Sequence, residues 1–220
     1  MSLLHSIILG IVEGFTEFLP ISSTGHLILA SHLLKLEQGD FLKSFEIAIQ
    51  SGAILSVVFL YFKKFILNFE MVKRVAVAFL PTAAVGFFLY GFIKNVLLGN
   101  ETVVLWSLLL GGVTLIAFEW WYSKTSVKIN SNNSLLLSYR QSFLIGLFQA
   151  ISVIPGVSRA GATILGGLWL GISRRTIVEF SFLLAVPTMA GATGLDLIRN
   201  LSSFSINQIN FLIAGFIISF

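Results

Sequence analysis

Apolar runs recur along most of this 220-residue chain, and two of them are broken at the middle by polar residues. The first break is EGFTEFLPISSTGH, residues 13–26, where two glutamates, four hydroxyl side chains, a proline and a histidine interrupt a greasy N-terminus. The second is PGVSRAG, residues 155–161, flanked by apolar stretches 141–154 and 160–172. Each flanking stretch, including 3–12 and 27–36 around the first break, is about half a membrane thick at about 1.5 Å of rise per residue. Such halves predict re-entrant helix hairpins whose tips lie at membrane depth.

Composition agrees that lipid is the solvent. The chain is 56% hydrophobic and 11% charged, with a mean hydropathy of +0.93; ordinary soluble domains carry roughly 25% charged residues. Unbroken spans are predicted over 45–62, 75–93, 102–122 and 176–195, the last holding Pro187, which predicts a kink. The absence of cysteine excludes disulfides and thiolate metal sites. The opening MSLLHSIILG has no basic residue, so it reads as part of the fold and not as a signal peptide.

Lys and Arg set the orientation. With 63–74 cytoplasmic, threading puts 123–140 and Ser173 to Arg175 on the same side, giving nine basic residues inside and four outside (Lys35, Lys43, Lys94 and Arg199). The net charge of +4 therefore follows membrane topology and points to no nucleic acid. The count is self-consistent only if both broken segments return to the side they came from. GIVEGFTEFLPISSTG also lies on GLFQAISVIPGVSRAG with one gap, pairing Gly10 with Gly146, Glu13 with Gln149, Pro20 with Pro155 and Ser23 with Ser158. Similar segments in opposite orientation predict an all-α polytopic membrane protein of two inverted-topology repeats, each containing a re-entrant hairpin, with a site at the midplane. The expected organisation is one membrane domain, 1–220: a first repeat over about 1–122, a cytoplasmic linker 123–140, and a second repeat 141–220 that stops inside the apolar run FLIAGFIISF and reads as incomplete. The spacing of Gly167 and Gly171 permits close helix contact and hence a homodimer, although such spacing more often packs helices within one chain.

The tips carry the chemistry. Glu13 and Glu17 are four apart, on one helix face, and at low dielectric both stay charged only if a proton or a cation joins them. A plainer reading, a solvated helix end, ranks lower because polar groups at membrane depth usually mark function. Ser22, Ser23 and Thr24 are natural N-cap residues. Ser23 and His26, three apart, read as a nucleophile and base pair; His5 and His32 read as interfacial or packing residues. In the second tip Pro155 breaks the helix, Gly156 allows close backbone approach, and Ser158 and Thr163 add hydroxyls. Arg159 needs an anionic partner there. Glu13 or Glu17 would serve structurally, but an Arg at a half-helix N-terminus with free amides suits a phosphate better.

EGFTEFLPISSTGH and PGVSRAGAT, in this order on broken helices, resemble the undecaprenyl-diphosphate phosphatase family of bacteria, the bacitracin-resistance type. FEIAIQSGAIL (45–55) and EFSFLLAVPTMAGA (179–192) add to the resemblance, which runs from about residue 5 to the end. It implies hydrolysis of undecaprenyl diphosphate at the inner membrane, in a site that opens to the outer face, and with it carrier recycling for peptidoglycan synthesis and bacitracin resistance. It implies a divalent cation, Mg²⁺ or Ca²⁺, at Glu13 and Glu17. The resemblance further implies catalytic roles for Glu17, Ser23, His26 and Arg159, and phosphate binding by Ser22, Thr24, Gly156, Ser158, Arg159 and Thr163. Ala160 departs from the family, which commonly has Ser there. A flippase of polyprenyl phosphate using the same groups is the rival reading. The other membrane lipid phosphatase type needs a His after its Ser-Arg motif, and none follows Arg159.

Overall fold

The computed structural model describes residues 1–37, 39–97, 100–125, 137–200 and 208–220. All regular structure among them is helical: α1 (Leu3–Thr16), α2 (Ser23–Leu33), α3 (Asp40–Leu67), α4 (Phe69–Phe92), α5 (Glu101–Lys124), α6 (Tyr139–Ala150), α7 (Arg159–Trp169), α8 (Arg174–Asn200) and α9 (Ile209–Ser219). Four of these, α3, α4, α5 and α8, are long and apolar enough to cross a bilayer. The protein is an all-α, multi-pass membrane protein.

The two broken segments fold as half-helix pairs. α1 ends at the cap Glu17, and α2 restarts with Ser22 as its N-cap, the side chain accepting from the Gly25 amide at 3.2 Å. α6 runs into a 3₁₀ turn at Ile151–Val153, and α7 begins behind Ser158, which accepts from the Gly161 amide at 3.0 Å. A hydroxyl thus satisfies an otherwise free amide at each tip. Gly156, at φ +90°, lies against α5, where a Cβ would press on the Val104 carbonyl and Ser107.

Packing interlocks the two halves. α1 lies on α9, α6 lies on α4, and α3 and α8 cross in contact between them. One apolar core gathers Leu9, Leu27, Phe45 and Ile49 from α1, α2 and α3, with Phe211 and Leu212 of α9 against it. The other joins Val75 and Ala78 of α4 to Ile145 of α6, Leu168 of α7 and Phe180 and Leu184 of α8. The outer faces are apolar instead of polar: Phe59 is 76% exposed, Phe88 81% and Ile116 73%. Lipid, not water, covers such a surface.

One expectation changes, and others find their place. The loop expected at 63–74 shrinks to Asn68, because its side chain caps α4 by accepting from the Met71 amide at 3.0 Å while α3 continues to Leu67. Pro187 does not end its helix, and Pro81 stands inside α4 in the same way. Pro187 leaves the Leu183 carbonyl without its helical donor, and the Thr188 hydroxyl donates to the next carbonyl, that of Leu184, at 2.7 Å. FLIAGFIISF forms α9, packed on α1 and α3. Most of the expected linker 123–140, residues 126–136, lies outside the described residues. Gly167 packs within the chain, since a Cβ there would overlap the Ile177 side chain of α8.

The α4–α6 contact gives a stability test. A Cβ on Gly146 would overlap the Ala78 carbonyl, whereas one on Gly112 meets nothing within 4 Å. Gly146→Val is expected to lose at least about 1–3 kcal/mol by overpacking, read as a lower melting midpoint in detergent, and Gly112→Val to lose none of it.

Candidate active site

The two tips meet. Arg159, first residue of α7, donates from Nη2 to Glu17 Oε1 at 2.7 Å and from Nη1 to the Ser181 carbonyl of α8 at 3.1 Å. Both members of the ion pair are buried, at 7% and 4% side-chain exposure. The other Glu17 oxygen accepts a hydrogen bond from the Ser23 hydroxyl. One carboxylate therefore holds a cation from the second hairpin and a hydroxyl from the first. Arg159 Nε is buried and has no partner among the described residues, a guanidinium donor still unused there.

These groups line a cavity of about 760 Å³ that also takes in Ser22, Thr24, Ser158 and Ala160. α3 contributes Lys43, Glu46 and Gln50 to its wall; Gln50 donates to the Thr24 hydroxyl at 3.1 Å, and Ser31 donates to Glu46 at 3.2 Å. On the far wall Gln149 donates to Thr82 at 2.9 Å and to Thr188 at 3.0 Å. Each threonine spends its own proton on a backbone carbonyl, Thr82 on Gly146 and Thr188 on Leu184. Both can then only accept from Gln149, which leaves Gln149 Oε1 buried with no donor among the described residues.

Of the residues singled out from sequence, Glu17, Ser22, Ser23, Thr24, Ser158 and Arg159 share the cavity wall. Four others lie off it. Glu13 is fully buried, and neither of its oxygens meets a donor among the described residues. Thr163 is fully buried, its hydroxyl engaged with the Ser181 hydroxyl at 2.6 Å and the Arg159 carbonyl at 3.0 Å, so it steadies the helix start that carries the arginine. Gly156 faces α5. His26 donates from Nδ1 to the Ser22 carbonyl at 2.8 Å, because a carbonyl can only accept. The Ser23 hydroxyl points to Glu17 and not to His26. His26 instead braces Ser22, which stands at φ 67°, a conformation that side chains other than glycine rarely adopt and that concentrates at functional sites. His32 pairs with Glu101 at 3.0 Å on the exposed side of α2.

Sequence reasoning missed Ser181, Glu46, Gln50 and Gln149 with its two threonines. Their signal was present: polar side chains inside otherwise apolar helices. Glu46, Gln50, Ser181 and Thr188 lie within FEIAIQSGAIL and EFSFLLAVPTMAGA.

A hard divalent cation takes oxygen ligands. Glu13 and Glu17 fit that chemistry, since Glu13 presents two buried oxygens with no donor, and Glu17, Arg159 and Glu46 all act on its charge. No group of three or more His, Asp or Glu forms a metal cluster among the described residues. The protein thus offers two carboxylates, and phosphate oxygens and water would complete the shell, as is usual for Mg²⁺.

A helical membrane protein with a buried arginine, a hydroxyl on a carboxylate and two helix N-termini in one cavity defines a membrane-embedded site for an anionic lipid headgroup. The comparisons narrow this class. The profile of the family described as "Bacitracin resistance protein BacA" matches residues 6–220, and the chain belongs to that family. It is 53% identical over 216 residues to the undecaprenyl-diphosphatase of Aquifex aeolicus, covering 98% of this chain and 83% of that protein. It is 51% identical to the undecaprenyl-diphosphatase of a Sulfurihydrogenibium species and 52% identical to that of Persephonella marina, each time covering 100% of this chain and 85% of the relative.

The ion pair makes a double-mutant prediction. Removing one partner of a buried pair strands the other charge and costs about 3–5 kcal/mol. Arg159→Met and Glu17→Gln are each expected to lower the melting midpoint in detergent, and the double variant to recover most of the loss while remaining inactive.

Proposed function

We propose that this chain hydrolyses undecaprenyl diphosphate to undecaprenyl phosphate and inorganic phosphate, the activity named for its relatives. In a bacterium this returns the lipid carrier to peptidoglycan synthesis and gives resistance to bacitracin. The observation that carries the reading is the convergence of Arg159, Glu17 and Ser23 on one cavity wall. The site belongs to the inner membrane and opens to the outer face, where the charge count puts the first hairpin's ends. The two halves are read as inverted repeats, joined by the linker around 126–136.

Phosphoryl transfer asks mainly for positioning and charge neutralisation. Arg159, with its free Nε, binds the terminal phosphate together with the amides at the starts of α2 and α7. The Ser23 oxygen attacks the terminal phosphorus, Glu17 takes the hydroxyl proton, and the P–O bond to the lipid phosphate breaks. After that proton has left with the lipid phosphate, water attacks the phosphoserine and gives its proton to Glu17, which returns it to the Ser23 oxygen as the serine–phosphate bond breaks and inorganic phosphate leaves. Glu13 and Glu17 would hold Mg²⁺ or Ca²⁺, which supplies further neutralisation of the diphosphate. His26 is a positioning residue that keeps Ser22 and Ser23 in place. A flippase would use the same binding groups, but binding alone gives no reason for a hydroxyl to sit on a carboxylate.

Three measurements test this. Phosphate release from undecaprenyl diphosphate in detergent is expected and is abolished by EDTA; lipid binding without release would refute hydrolysis. Ser23→Ala is expected to lower turnover by at least about a hundredfold, within the range for loss of an activated proton transfer. With labelled terminal phosphate, acid-quenched wild-type enzyme should carry label on Ser23; rapid turnover with no labelled protein would transfer the attack to water.

A further inference from the structure

The reaction cavity does not end at the polar tips. From Arg159 it continues outward between the outer halves of α4 and α8, past Gly86 and Phe87 on one side and Gly191 and Gly194 on the other. Below this stretch the two helices are packed together, Ala78 and Leu184 sharing a core. Above it the Tyr90 hydroxyl donates to Asp196 at 2.8 Å and ties the helices again. Between these ties a Cβ built on Gly86 or on Gly194 meets nothing within 4 Å among the described residues, whereas one on Gly191 would reach the Phe79 ring of α4 at 3.3 Å. Phe87 beside the gap is 58% exposed on a surface that lipid covers. From Thr82, held by Gln149, to Tyr90 is eight residues, about 12 Å of helix. The result is a framed window from the cavity into the hydrocarbon, with Arg159 on the wall of the same cavity.

We propose that this window is where the prenyl chain of the substrate leaves the cavity, so that the diphosphate sits on Arg159 while the tail stays in lipid between α4 and α8. The inference rests on the hydrolysis reading for the identity of the lipid. Chemistry favours the assignment: a long hydrocarbon tail cannot be kept in a cavity of about 760 Å³ lined partly by polar groups and must reach lipid without crossing the charged rim at Lys43. A second apolar hollow of about 620 Å³, between α5 and the second hairpin, competes for the tail. It meets the reaction cavity only at Val157 and Ser158, on the other side of the second tip.

The window can be narrowed without a backbone clash by Gly86→Trp or Gly194→Trp, and the competing hollow by Gly111→Trp, whose Cβ likewise has nothing within 4 Å. The readout is the ratio of kcat/KM for undecaprenyl diphosphate to that for farnesyl diphosphate. The ratio is expected to fall at least tenfold in the two window variants and to stay within twofold of wild type in the α5 variant. A fall confined to Gly111→Trp, or no fall in any variant, overturns the proposal. A second measurement does not depend on turnover: benzophenone-alanine at position 87 or 110, irradiated with bound undecaprenyl phosphate. Label at 87 and not at 110 supports the window, and label at 110 alone or at neither position overturns it. If wild type releases no phosphate while position 87 still labels, hydrolysis fails and the window stands.

Discussion

An arginine buried at membrane depth is tolerable only beside a negative charge, and here the two charges arrive from opposite halves of the chain. Arg159 opens α7, and Glu17 closes α1, 142 residues earlier. Neither hairpin can leave its charge in hydrocarbon alone, so the two tips must meet for either to be stable there. The interlock of α1 with α9 and α6 with α4 follows the same logic, because it carries each tip inward on a helix pair whose apolar side is already buried. What results is a permanent cation and a carboxylate held at hydrogen-bond distance, with room in front of them.

That arrangement stays polar without becoming a charge cluster because the two hairpins carry different residues where their sequences align. Glu13 and Gln149 occupy matched positions in the sequence repeat, and both are fully buried. Glu13 brings a second carboxyl next to Glu17. Gln149 brings a neutral amide that fastens Thr82 of α4 to Thr188 of α8. One hairpin thus concentrates the electrostatics, and the other braces the wall that faces them. Each leaves an acceptor without a donor, the state expected of groups kept for a cation, a water or a substrate proton.

Much of this was legible before any coordinates. Half-length apolar runs around Pro20 and Pro155 marked both hairpins, because helices in lipid must satisfy their own backbone and can stop only where side chains cap them. Ser22 and Ser158 were readable as those caps. The partner of Ser23 was not. Spacing along one helix suggested His26, three residues on, but Ser22 at positive φ turns the Ser23 side chain back toward the end of α1, and Glu17 receives it. Thr163 looked like a phosphate ligand by its place in the motif, yet the side of α7 it occupies faces Ser181. The loop expected near residue 68 failed for a different reason: a single asparagine can cap the next helix by itself.

Sequence alone determined the solvent of this protein, its helical class, the two hairpins and the residues that arm their tips, because hydrophobic length, helix breakers and caps are local properties of the chain. Tertiary structure decided which of those residues share a wall. It chose Glu17 over Glu13 as the partner of Arg159, brought in Glu46, Gln50 and Ser181 from helices that read as plain spans, and tied α4 to α8 through Gln149 and through Tyr90 and Asp196. Those outcomes depend on how α3, α4 and α8 cross, and a crossing is set by contacts between segments a hundred or more residues apart, which no local pattern encodes.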